Sequence, residues 1–178
     1  MMMQIRFENS LDSTEIRTVN EAAFGQTAEA NLVDRLRAAC PEQVSLVAIQ
    51  DDHKIVGHIL FTPAEINYTD GSKVQGWGLA PLAVLPEFQK QRVGSQLVKA
   101  GLQTLQKQNQ QFVIVLGHPE YYLRFGFEPA WLYGVTCEFT GENQDAFMVH
   151  FLEQNGFQEK SGRAVYHPVF FTRRNYYD

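Results

Sequence analysis

A mixed α/β fold in one domain, residues 1–178, follows from two passages of strand into helix. In the first, the apolar run Leu79, Leu82, Val84 and Leu85 crosses a polar turn into a helix. That helix carries Val93, Leu97, Val98, Gly101, Leu102 and Leu105 at three- and four-residue intervals, one buried stripe. In the second, the wholly apolar and β-branched Phe112–Leu116 ends at Gly117; Pro119 suits the first turn of a short helix and Gly126 its exit. Two parallel interior strands, each opening into a helix at its C-terminal edge, set their loops side by side, where open α/β sheets bind ligands. The strand from Leu79 is apolar beyond simple alternation and is expected to be covered on both faces.

The other elements follow in chain order. Met3, Ile5 and Phe7 alternate with polar residues and read as an edge strand. Asp12-Ser13-Thr14-Glu15 reads as a capping box, starting a helix that buries Ile16, Val19, Ala23 and Phe24 and leaves at Gly25. A second helix runs from about Glu29 to Ala39, burying Leu32, Val33 and Leu36, and Pro41 stops it. Ser45–Gln50 and Ile55–Thr62 form a hairpin around Asp51-Asp52-His53-Lys54, and Asp70-Gly71 turns the chain into the central strand. The glutamine-rich stretch from Gln103 to Gln111 is the solvated end of the central helix.

Composition narrows the function. The longest apolar run, Phe112–Leu116, is far short of a membrane span, and no apolar stretch follows the three starting methionines, so a cytoplasmic protein is expected. A net charge of −5 argues against nucleic acid, and Arg173-Arg174 is too short to reverse that. Cys40 and Cys137 lie in no metal or redox spacing and have no adjacent base, so they read as packing or surface thiols, and no metal is expected. Nucleotide P-loop, dinucleotide, serine-elbow and zinc-helix signatures are all missing. His58, on a strand, reads as a hydrogen-bonded structural histidine. Helix starts attract anions through unpaired N–H groups and the peptide dipole, and Lys90, Arg92 and Lys99 concentrate positive charge around this one.

Gln89-Lys90-Gln91-Arg92-Val93-Gly94 resembles the coenzyme loop of the GNAT superfamily of N-acetyltransferases, Gln/Arg-x-x-Gly-x-Gly/Ala, at its first and last positions. Between them Arg92 stands where the family more often has glycine. Glycine would permit a positive φ or close approach to phosphate; arginine offers a guanidinium that could face one. Tyr122, Gly126 and Phe127 match the family's Tyr-x-x-x-Gly-Phe, and the resemblance extends to Ala146-Phe147-Met148-Val149 and Ser161-Gly162-Arg163, similar to a bacterial branch of acetyltransferases with unassigned substrates.

The resemblance implies the GNAT fold, a mixed, mostly antiparallel central sheet with splayed parallel strands and flanking helices. It also implies acetyl-CoA as co-substrate and an amine, on a small molecule or protein, as acceptor, with no metal. Leu82, Ala83 and Val84 would hold the pantetheine arm like an added strand. Gln89, Lys90, Gln91, Arg92, Val93, Gly94 and Ser95 would take the pyrophosphate. Tyr122 would protonate the departing sulfur, with Tyr121 as its control. For the base that frees the amine, the candidates are Glu21, Glu29 and His118, with Glu29 placed beside the acceptor groove. Direct attack on the thioester is expected. A catalytically silent acyl-CoA-binding domain and an O- or longer-chain acyltransferase are the alternatives, and a homodimer is left open.

Overall fold

The central sheet is built outward from one long hairpin. In the computed structural model, which describes residues 3–50, 53–138, 143–153 and 160–171, β3 (Ile55–Tyr68) and β4 (Lys73–Val84) pair antiparallel from Asn67↔Lys73 to Gly57↔Val84. Asp70 and Gly71 make the turn, as the sequence indicates: Gly71 has φ +85°, and the Ser72 N–H and hydroxyl donate to Asp70 Oδ1 at 3.0 and 2.6 Å. The β3 strand extends six residues beyond the expected Thr62, because Ile66 and Tyr68 continue its buried face.

On one side β2 (Val44–Ile49) and β1 (Gln4–Phe7) add antiparallel to β3, leaving β1 at an edge. On the other side β5 (Phe112–Leu116) runs parallel to β4, followed by antiparallel β8 (Phe147–Phe151) and the two-residue β6 (Glu128–Pro129). β9 (Gly162–Val165) pairs with the far end of β3 and, in parallel, with β7 (Val135–Cys137). The Ala146–Val149 and Ser161–Arg163 segments thus lead into β8 and β9, which begin at Phe147 and Gly162. The sheet is mixed and mostly antiparallel, with the parallel β4–β5 pair at its centre and a second parallel pair, β7–β9, off the main path.

Two helices, α1 (Ser13–Phe24) and α2 (Ala28–Ala39), follow β1. Gly25, at φ +68°, ends α1 as expected. The capping box does not form. Asp12 is taken instead by Arg6, through two bonds at 2.6 and 2.9 Å, and by the Asn9 N–H at 2.7 Å, while Glu15 accepts from the Ile55 N–H at 3.1 Å. A charge-assisted bidentate pair outcompetes a local cap. α3 (Val93–Lys107) buries the predicted stripe against the sheet, its Gly101 seating the ring of Phe61. The short α4 (Pro119–Tyr122) follows β5. No described helix is long and apolar enough to cross a membrane. Of the segments singled out in the sequence, Asp51-Asp52 and Arg173-Arg174 lie outside the described residues.

His58 is fully buried where α1 meets the sheet. Its Nδ1 accepts from Asn20 Nδ2 at 3.1 Å, and its Nε2 lies 3.0 Å from Ser45 Oγ, which donates to Glu8. Burial, with Arg37 nearby, lowers its pKa to about 3, so the ring is neutral. It is the structural histidine the sequence suggested.

Candidate active site

Pairing between β4 and β5 covers only Trp77↔Val113, Gly78↔Ile114 and Leu79↔Val115. Beyond Leu79 the two strands part, and the edge of β4 from Ala80 to Val84 on the β5 side has no strand partner among the described residues. The expectation that this strand is covered on both faces therefore fails at its C-terminal half: Ala80, Leu82 and Val84 are half-exposed, alternating with buried Pro81, Ala83 and Leu85. The gap is the floor of a cavity of about 960 Å³, walled by α1, α2, the α3 N-terminus and α4.

The loop from Leu85 to Val93 brings the chain across the end of this gap. Gln89 Nε2 donates to Val84 O at 3.1 Å and Gln91 Nε2 to Glu87 O at 2.7 Å, so two side-chain amides fasten the loop to backbone. Lys90 and Arg92 both take the left-handed conformation, at φ +60° and +67°. Arg92 thus adopts the backbone that a glycine would make easy, and the loop keeps its turn without the glycine. The Gln96 N–H donates to Arg92 O at 3.0 Å as the first full helical bond, leaving Val93, Gly94 and Ser95 N–H groups at the mouth of α3. None of α1, α2 and α3 has a side-chain cap, and α1 and α2 carry Glu15 and Glu29 in their first turns, whereas the first turn of α3 has no acidic side chain. Its positive end faces the cavity uncompensated.

Gly94 lets the Tyr121 hydroxyl approach closely. A Cβ there would stand 2.6 Å from Tyr121 Oη, with Val84 and Leu82 methyl groups 3.6 and 3.7 Å beneath. The Tyr121 hydroxyl lies beside Ser95, while the Arg124 guanidinium lies 4.6 Å over the Tyr121 ring and reaches Ser95 Oγ at 3.4 Å. Tyr122 points the other way, as neighbours on a helix must. It is buried, edge-on to Tyr121 and Phe127, and pressed against Gly117, where a Cβ would fall 2.4 Å from its ring. Burial pushes its hydroxyl well above the usual tyrosine range, with Tyr121 adding to the effect.

Of the residues named from sequence, Leu82, Val84, Gln89, Lys90, Arg92, Val93, Gly94, Ser95, Tyr122, Glu29 and His118 line this one cavity. Ala83 does not, being buried opposite His58; nor does the Gln91 side chain, which turns back onto its own loop. Glu21 is also outside the lining, paired with Arg17 at 2.9 Å. Lys99 lies on α3 away from the cavity, and Arg124 takes its place as the third cation. Phe24, expected in the core, is 41% exposed and forms part of the cavity wall. Both cysteines are buried and outside the lining.

The family model described as an acetyltransferase (GNAT) domain matches residues 4–130, a span that holds α1 to α4 and the whole cavity. The chain belongs to the GNAT acetyltransferase family. It is 34% identical over 168 residues to YhbS of Escherichia coli K12, an uncharacterized N-acetyltransferase, covering 94% of this chain and 98% of that one. It is 45% identical over 121 residues to the uncharacterized N-acetyltransferase YjhQ of the same organism, covering 66% of this chain and 65% of that one. The crystal structure of Escherichia coli YhbS in complex with CoA superposes with a TM-score of 0.86 at 33% identity, over 96% of this chain and 92% of that one. A GNAT family acetyltransferase from Brucella melitensis in complex with acetyl-CoA gives 0.76 at 32%, over 95% and 98%.

Sequence reading passed over Phe24, Leu116 and Arg124. No pattern marks Arg124, whose place depends on where α4 settles beside α3. Phe24 carried a misleading signal, since it falls on the apolar stripe of α1 but one turn past the point where the sheet covers that stripe.

Proposed function

We propose that this chain transfers an acetyl group from acetyl-CoA to a primary amine by direct attack on the thioester. One observation carries the reading: the unpaired edge of β4 ends directly beneath the uncapped N-terminus of α3. An unpaired edge binds extended amide chains and an uncapped helix start binds phosphate; acetyl-CoA carries both groups in series.

When bound, acetyl-CoA supplies an electrophilic thioester carbon and a thiol leaving group. The Ala80–Val84 edge offers peptide groups to the pantetheine amides, and one N–H of Leu82 or Val84 faces the thioester oxygen as it gains charge. The N–H groups of Val93, Gly94 and Ser95 take the pyrophosphate, with Lys90, Arg92 and Arg124 around them. As the N–C bond forms and the C–S bond breaks, Tyr122 gives its proton to the sulfur and is restored by the proton that the newly acylated nitrogen sheds; the raised pKa keeps the Tyr122 proton in place until the sulfur departs. The ammonium proton leaves through Glu29 or His118 to solvent, one proton being released per turnover. The burial of both cysteines away from the cavity, and the thiol of Cys40 pushed up by that burial, favour direct attack over an acyl-enzyme.

Thiol release from acetyl-CoA, followed in the presence of a panel of amines, tests the reading. Amine-dependent release supports it. Stabilisation of the fold by CoA without release across the panel would instead make the protein a silent acyl-CoA-binding domain.

A further inference from the structure

The cavity is polarised. Lys90, Arg92 and Arg124 stand with the α3 N-terminus at one end, and Glu29 is the one acidic residue in the lining among the described residues. Glu29 is presented by α2, and Gln26 Nε2 donates to both of its oxygens at 3.0 and 3.1 Å, holding the carboxylate in place without neutralising it. Around it the wall is apolar. Phe24, the last residue of α1, and Leu116, the last residue of β5, are 41% and 43% exposed, and Ala23 and Leu32 continue the surface. Two large apolar side chains left exposed in the wall of a cavity, with one hydrogen-bonded carboxylate in the same lining, form a surface complementary to a molecule with the opposite layout.

We propose that the acceptor is a monoamine on an apolar body, an arylalkyl or longer alkyl amine, with its ammonium on Glu29 and its body against Phe24 and Leu116. The inference rests on the acetyltransferase reading above and adds the substrate class. A polyamine brings further cations that find no second carboxylate in the lining. An amino sugar brings hydroxyls that would give up water against Phe24, Leu32 and Leu116 without a replacement partner. An alkyl chain instead gains with each methylene it buries, by roughly tenfold or more in an apolar pocket.

The test is kcat/KM for phenethylamine and hexylamine against ethanolamine, glucosamine, spermidine and a lysine peptide, in wild type, Phe24→Ser, Phe24→Leu and Glu29→Gln. The two apolar amines are expected to exceed ethanolamine by at least about tenfold. Phe24→Ser should raise KM for phenethylamine about tenfold while leaving KM for acetyl-CoA unchanged, and Phe24→Leu should restore most of the loss. Glu29→Gln should raise KM for every amine. A preference for spermidine, glucosamine or the peptide, a flat panel, or a Phe24→Ser variant with unaltered amine preference overturns the substrate class and leaves acetyl transfer standing. CoA that stabilises the fold while none of the six amines reacts also overturns it. CoA that neither binds nor is released overturns the acetyltransferase reading beneath it.

Discussion

Gly94 and Tyr121 share a space with no room for a methyl group, the Tyr121 hydroxyl lying 2.6 Å from where a Cβ of residue 94 would stand. This contact packs α4 against the start of α3. Gly94→Ala should push the Tyr121 ring aside and weaken CoA binding about tenfold, on the order of 1.4 kcal/mol. Removing the obstructing oxygen as well, in Gly94→Ala with Tyr121→Phe, should recover most of that affinity. Calorimetric titration of the four proteins in the cycle measures the coupling.

Arg92 holds φ +67°, a conformation that costs a non-glycine residue about 1–2 kcal/mol. Arg92→Gly relieves this at the expense of greater freedom in the unfolded chain, about 0.5–1 kcal/mol, so the fold should gain up to about 1 kcal/mol. Arg92→Ala keeps the strained backbone and should gain nothing. Both should bind CoA more weakly and with a shallower salt dependence, because a cation near the phosphates is lost. Urea unfolding and titrations at two ionic strengths check the two halves separately.

Tyr122→Phe should lower kcat by about 10²–10⁴ while leaving CoA affinity intact. Tyr121→Phe should keep kcat within a few-fold. Burial raises the pKa of Tyr122, so it stays protonated through the neutral and mildly basic range. The rate profile should accordingly show no falling limb up to about pH 10, the ordinary tyrosine value. A falling limb near pH 8 that Tyr122→Phe abolishes would contradict the assignment.

Most of the fold was legible because apolar spacing reports which face is buried. The α3 stripe, the interior β5 strand and the Asp70-Gly71 turn follow from side-chain period and turn chemistry alone. What was not legible depends on partners distant in sequence. Asp12 looks like a cap until Arg6 is brought beside it, and Phe24 looks like core until α1 is seen to outrun the sheet. The site divides in the same way. The loop from Gln89 to Ser95 is contiguous in sequence, so its place at a helix start is legible there, whereas Leu116 joins the cavity through the parting of β4 and β5 and Arg124 through the packing of α4 beside α3.

His58 makes the fold sensitive to acid. Its folded pKa of about 3 lies below the ordinary histidine value, so between roughly pH 6.5 and 3 the unfolded chain binds a proton that the folded chain does not. The stability contribution is complete above pH 6.5 and falls as pH drops, by about 2 kcal/mol at pH 5. His58→Gln should be less stable at pH 7 by about 1–3 kcal/mol, since Asn20 and Ser45 lose a partner, yet should decline less steeply between pH 7 and 5. Urea unfolding at both pH values gives the two slopes.

The central claim is that the parted edge of β4 and the open start of α3 hold the coenzyme together. Titrating isotope-labelled protein with CoA and following backbone amide resonances tests it most directly. Saturable shifts concentrated at Leu82–Val84 and Val93–Ser95 are the predicted result. Shifts centred elsewhere on the fold, or none at saturating CoA, would contradict it.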